Sequence, residues 1–198
     1  MSETVVQTVY FDEPGEANTE RTLALARSRA GQLGIRSIIV ATTKGATGRA
    51  AAQLFAGFNL IVVSHVTGFN APDVQELSAE GRAELLAAGA KVLTGTHTFG
   101  GIGRAVRRKL GTYQLDELVA YTLRTFGEGL KVAMEMTAMA ADAGLVRCDE
   151  EVIAIAGTGK GADTAAVIRP AHVHNFFDQR VLEILCKPRL GGKPQGGA

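Results

Sequence analysis

Ile38-Ile39-Val40-Ala41-Thr42-Thr43-Lys44-Gly45-Ala46-Thr47-Gly48-Arg49-Ala50-Ala51-Ala52-Gln53-Leu54-Phe55 reads as one strand–loop–helix unit. The run from Ile35 to Ala41 is apolar and β-branched, as in a strand buried on both faces. The alanine-rich stretch Arg49 to Phe55 favours helix, and a loop of threonines and glycines joins the two. The rhythm continues outward. Gly57 closes the helix ahead of a second buried strand, Leu60 to Ser64. Ser78-Ala79-Glu80 opens a further helix that Gly89 ends, and Lys91 to Thr94 is the next strand. Upstream, Val5 to Phe11 reads as a short strand and Asp12-Glu13-Pro14-Gly15 as a turn. Asn18 or Thr19 caps a helix whose apolar face is Leu23, Leu25, Ala26, Ala30 and Leu33, with Gly34 as its stop. Successive βα units predict a parallel sheet.

The second half departs from this rhythm. Phe99 to Leu110 is a glycine-rich basic helix, and Asp116 to Ala143 is a long helical pattern interrupted by Gly127 and Gly129. Both are expected across one sheet face, with Leu118, Val119, Leu123, Phe126, Leu130, Met134 and Met139 as core rather than cofactor contacts. Val152 to Ala156 is a further parallel-type strand. Ala165 to Ile168 follows too closely for a helical crossover and is expected to pair antiparallel. Residues 1–190 read as a single domain and 191–198 as a flexible tail.

Basic and acidic residues nearly balance, 21 against 20 for a net charge of +1, so no bulk charge calls for nucleic acid or membrane. Cys148 and Cys186 lack metal-finger or disulfide-framework spacing and are expected as reduced thiols. Met1-Ser2-Glu3-Thr4 lacks the basic and apolar regions of a signal peptide, and no run is apolar enough to span a membrane. A cytoplasmic protein is expected.

Two loops have anion-binding chemistry. In Thr42, Thr43, Lys44, Gly45, Ala46, Thr47 and Gly48, glycines admit a close ligand, threonines add hydroxyls, and the following helix presents unpaired N–H groups. An ordinary tight βα turn is the alternative. The loop lacks the GxxxxGK[ST] spacing of a triphosphate loop, and no Asp ends the neighbouring strand as a magnesium anchor. In Gly157, Thr158, Gly159, Lys160, Gly161, Ala162, Asp163 and Thr164, three glycines at alternate positions accompany a lysine and hydroxyl donors. A Cβ at Gly159 or Gly161 is expected to weaken ligand binding more than stability. The pattern is not GxGxxG, and no ordinary helix follows.

Ile38 to Ala51 resembles the strand, threonine-rich loop and helix that open the C-terminal α/β domain of pyruvate kinases. Val152 to Pro170 resembles that domain's closing strand, glycine loop and antiparallel strand. More closely, Phe11 to Gly15, Ala140 to Leu145, Ile153 to Thr164 and Arg169-Pro170-Ala171-His172 are similar to small stand-alone archaeal-type proteins of this family. The resemblance implies an α/β fold of three α/β/α layers. Its mixed, mostly parallel sheet has core order 3-2-1-4-5, with the fifth strand antiparallel and extra terminal strands. It also implies flavin mononucleotide (FMN) as ligand, with phosphate on both glycine loops where they line one crevice at the sheet's switch point. Pyruvate kinase chemistry is not implied, because the catalytic barrel is absent from these residues.

On loops following strands, His65, Phe69, His97 and Phe99 are expected nearest the flavin ring, at the carboxyl edge of the sheet. Loop histidines bonded to backbone and buried phenylalanines are the plainer readings. His172 and His174 alternate as on a strand, without a third metal partner. Arg104, Arg107, Arg108 and Lys109 make a basic patch. A solvated helix face explains it, with an acidic ligand or a subunit contact as alternatives. The expectation is a homo-oligomer that binds a phosphorylated small molecule, without metal and with no catalytic residue assigned. A sugar-phosphate or nucleotide sensor and a flavin-dependent oxidoreductase are the other readings.

Overall fold

A computed structural model describes residues 3–189; the tail expected over 191–198 lies outside them. Among these residues one mixed sheet contains β1 (Val9–Phe11), β2 (Ser37–Ala41), β3 (Asn59–Ser64), β4 (Lys91–Thr94), β5 (Val152–Ala156), β6 (Thr164–Arg169) and β7 (Arg180–Pro188). The strand order is β1-β7-β6-β5-β2-β3-β4. β2 pairs parallel with β3 and β5, and β3 with β4; β6 is antiparallel to β5, and β7 to β6. Counted from the strand that ends at Ala41, the central five run 3-2-1-4-5 with the fifth reversed, as expected. The terminal strands β7 and β1 extend the sheet beyond it.

The helices are α1 (Thr19–Leu33), α2 (Ala46–Leu54), α3 (Ala79–Ala87), α4 (Ile102–Leu110), α5 (Leu115–Arg124) and α6 (Glu128–Asp142). Period-2 alternation along β2 sets the layers. Ile38 and Val40 join Leu23 and Ala26 of α1, Ala51 of α2 and Leu85 of α3 on one face. Ile39 joins Ile61, Val63 and Ala154 beneath Leu130, Met136 and Ala140 of α6 on the other. Each such isoleucine, fully buried, contributes roughly 1.5–3 kcal/mol.

Several expectations need correction. The strand expected over Val5 to Phe11 forms only at Val9–Phe11, where β7 supplies partners from Cys186 to Pro188. The helix expected from Phe99 begins at Ile102. The pattern from Asp116 to Ala143 breaks at Gly127, whose φ of 120° suits glycine and resets the helical phase. Of α4, α5 and α6, only α6 therefore lies along the sheet, with α5 on α6 and α4 on α5. Leu118 and Phe126 are exposed rather than core. His172 and His174 are not on a strand. Pro170, which lacks an N–H to extend a ladder, follows β6, and the chain turns into a 3-10 segment at Val173–Asp178.

Candidate functional site

The first glycine loop connects β2 to α2 at the carboxyl edge. Thr42 Oγ1 accepts hydrogen bonds from the N–H groups of Gly45 (3.1 Å) and Gly48 (3.3 Å), which fixes the turn. Gly45 supplies a φ of 96° as the helix cap. The N–H groups of Ala46 and Thr47 lie in the first turn, where no intrahelical acceptor exists, and the helix dipole makes their end attractive to an anion. Ala41, Thr42 and Thr43 line a cavity of about 160 Å³ beside this turn.

His65 and His97 follow β3 and β4, so both project from the same edge. Their rings and that of Phe69 form a cluster, with centroids 4.3 Å (His65–Phe69), 5.1 Å (Phe69–His97) and 5.5 Å (His65–His97) apart. The Glu76 carboxylate orients His65, with Oε2 2.6 Å from Nδ1. The Val66 N–H donates to His97 Nε2 at 3.4 Å, so that nitrogen is unprotonated. Burial pushes the His97 imidazole below its usual value. Glu135 pulls the other way, while His65, Lys131 and Arg104 reinforce the shift. The Arg104 guanidinium lies 5.3 Å over the Phe69 ring. Phe69, His97 and Arg104 also border a second cavity, of about 460 Å³, that runs toward α4.

Lys131 and Glu135 of α6 belong to this site although the sequence reading does not single them out. Each is only 5 % exposed, and they form an ion pair of 2.5 Å that borders the smaller cavity. The available signal is two charges one turn apart inside the otherwise apolar run from Gly129 to Ala141. Glu135 Oε1 also accepts from the Phe99 N–H at 2.9 Å. Phe99 itself is buried. It packs edge-on to Phe176 at 5.2 Å and lines neither cavity, so the structure does not bring it together with the other three rings.

The second glycine loop joins β5 to β6 and lines neither cavity. Asp163, fully buried, holds it: its carboxylate accepts from the N–H groups of Gly15 and Thr158 and from the Thr164 hydroxyl. Ala162 N–H donates to Thr19 Oγ1, and Thr22 donates to the Ala162 carbonyl. The loop is thereby sewn to the start of α1. Lys160 and Gly159 face solvent, whereas a Cβ on Gly161 would stand 2.5 Å from Glu16 Cα. The expectation that both glycines matter chiefly to a ligand therefore fails for Gly161, which close packing requires. Both have positive φ, so alanine at either costs about 1–2 kcal/mol. Gly161→Ala should cost about 1–3 kcal/mol beyond Gly159→Ala, measured by urea unfolding, because it alone overpacks.

Among the described residues no group of three His, Cys, Asp or Glu side chains converges as a metal site, and no helix is long and apolar enough to cross a membrane.

The family model described as pyruvate kinase, alpha/beta domain, matches residues 20–168, which spans β2 through β6. The chain belongs to that family. Similar solved structures include a Cryptosporidium parvum pyruvate kinase at 14 % identity and TM-score 0.44, covering 77 % of this chain and 23 % of that one. The pyruvate kinase of the same organism in complex with ADP gives 15 % identity and TM-score 0.44, covering 77 % and 24 %. A further crystal structure of that enzyme gives 14 % identity and TM-score 0.42, covering 80 % and 24 %. The chain thus spans about a quarter of the length of the pyruvate kinases it matches.

Proposed function

We propose that the chain binds a phosphorylated small molecule with a flat ring, FMN foremost, at the carboxyl edge of β2, β3 and β4. The observation that carries this reading is the ring cluster of His65, Phe69 and His97 near the anion-favouring start of α2, with the smaller cavity shared by the rings and Thr42–Thr43 and the larger one adjoining it on the α4 side. Open α/β sheets bind ligands at this edge, and a combined space of this order is what a cofactor-sized ligand requires. The donor set fits a flavin. The N–H groups of Ala46 and Thr47 and the Thr43 hydroxyl suit a phosphate, and the face of Phe69 and the neutral His97 imidazole suit an aromatic ring. A bound flavin would supply hydride or single-electron chemistry. The protein's own part is to position the ring, hold the phosphate and exclude water.

Titration of the purified protein with FMN, followed by flavin fluorescence and thermal shift, tests this. Saturation should raise the melting temperature, by a free-energy equivalent of about 2.7 kcal/mol at one hundred times Kd. Riboflavin, which lacks the phosphate and its charged hydrogen bonds, should bind at least tenfold more weakly. Failure of FMN to bind removes the flavin assignment. A melting-temperature rise with sugar phosphates or nucleotides and none with flavins would instead make the chain a metabolite sensor.

A further inference from the structure

The basic patch on α4 divides in two. Arg107 faces α5, where its Nε stands 2.8 Å from Glu117 Oε1. Gly101, Arg104, Ala105 and Arg108 fall on one helix face by their three- and four-residue spacing, and with Lys109 they line the larger cavity. Among the described residues no carboxylate lines it. Arg124 and Lys131, around the smaller cavity, are neutralised by Glu128 and Glu135 at 2.5 Å each. Arg104, Arg108 and Lys109 have no ion-pair partner among the described residues, and Arg104 Nε, sealed from solvent, has no hydrogen-bond partner. Gly100 shapes this wall, since a Cβ there would stand 2.9 Å from Arg104 Nη2. Three unneutralised cations around one concave space favour an anion, because each gains a charge-assisted partner there that the fold does not provide.

We propose that this α4 face is a second anion subsite, so that the ligand carries negative charge at both ends of a flat body. A phosphorylated aromatic with an additional phosphate, diphosphate or carboxylate has that form. The two-ended ligand rests on the ring-binding reading above; the subsite does not.

The test is calorimetric titration of the intact protein and of the double variant Arg108→Gln/Lys109→Gln with FMN and with inorganic pyrophosphate. Both side chains are exposed, so the variant should fold, which circular dichroism checks. Pyrophosphate should bind the wild type in the absence of FMN, and at least tenfold more weakly to the variant. If pyrophosphate binds both proteins equally, or fails to bind the wild type, the subsite is overturned and the flavin reading stands or falls separately. If FMN fails while the pyrophosphate loss appears, the subsite stands and the flavin reading falls. If the variant loses FMN affinity instead, α4 holds the only phosphate and the second subsite is overturned.

Discussion

Asp163→Ala is expected to lower the unfolding free energy by about 3–5 kcal/mol, while Asp163→Asn should lose only about 1–2 kcal/mol. The carboxylate is wholly enclosed and serves three donors: Gly15 N–H at 2.9 Å and Thr158 N–H at 3.0 Å on Oδ2, and the Thr164 hydroxyl at 2.7 Å on Oδ1. Alanine leaves the two backbone N–H groups without an acceptor, each at roughly 1–3 kcal/mol, and leaves space besides. The threonine hydroxyl can rotate to another partner. An asparagine oxygen placed at Oδ2 keeps both N–H bonds, and its amide can donate to Thr164 once that hydroxyl turns. Urea denaturation of both variants measures the difference. Equal losses would show that charge, and not acceptor geometry, holds the loop. Amide exchange at Gly15 and Thr158 should quicken in the alanine variant well before global unfolding, since those two groups are released locally.

Asp163 also marks where the sequence stops being legible. Its most distant partner, Gly15, lies 148 residues away, and no periodicity or spacing encodes such a pairing. What could be read was local or periodic. The βα rhythm, the Gly34 stop and the Ser78 cap, whose hydroxyl accepts from the Gly81 N–H at 3.1 Å, all fall where the residues predict. Gly127 is legible as an interruption but its consequence is not, because only packing reveals that a changed helical phase carries α5 off the sheet. His65, Phe69 and His97 come together because loops after parallel strands share an edge. Phe99, on the same edge, departs from them because its backbone N–H is held by Glu135 and its ring turns inward against Phe176. The second glycine loop carries the donors of an anion site, yet much of its glycine and hydroxyl content serves contacts with the start of α1.

The buried pair on α6 gives the second large effect. Lys131→Met should cost about 3–5 kcal/mol, because it leaves the Glu135 carboxylate enclosed without a counter-charge. Lys131→Met/Glu135→Gln should recover most of that loss. The glutamine oxygen keeps the Phe99 N–H bond, and no charge remains to be desolvated. Thermal and urea unfolding of the two variants measure the recovery, and a double variant as unstable as the single one would refute the pairing. The same variants also separate stability from function. A neutral pair of similar shape would hold α6 in place at little cost, so stability alone gives these charges no advantage on the wall of the smaller cavity. If the recovered double variant then binds FMN at least tenfold more weakly than the wild type, Lys131 serves the ligand as well as Glu135. Unchanged affinity would confine the pair to fixing the Phe99 backbone and the packing of α6.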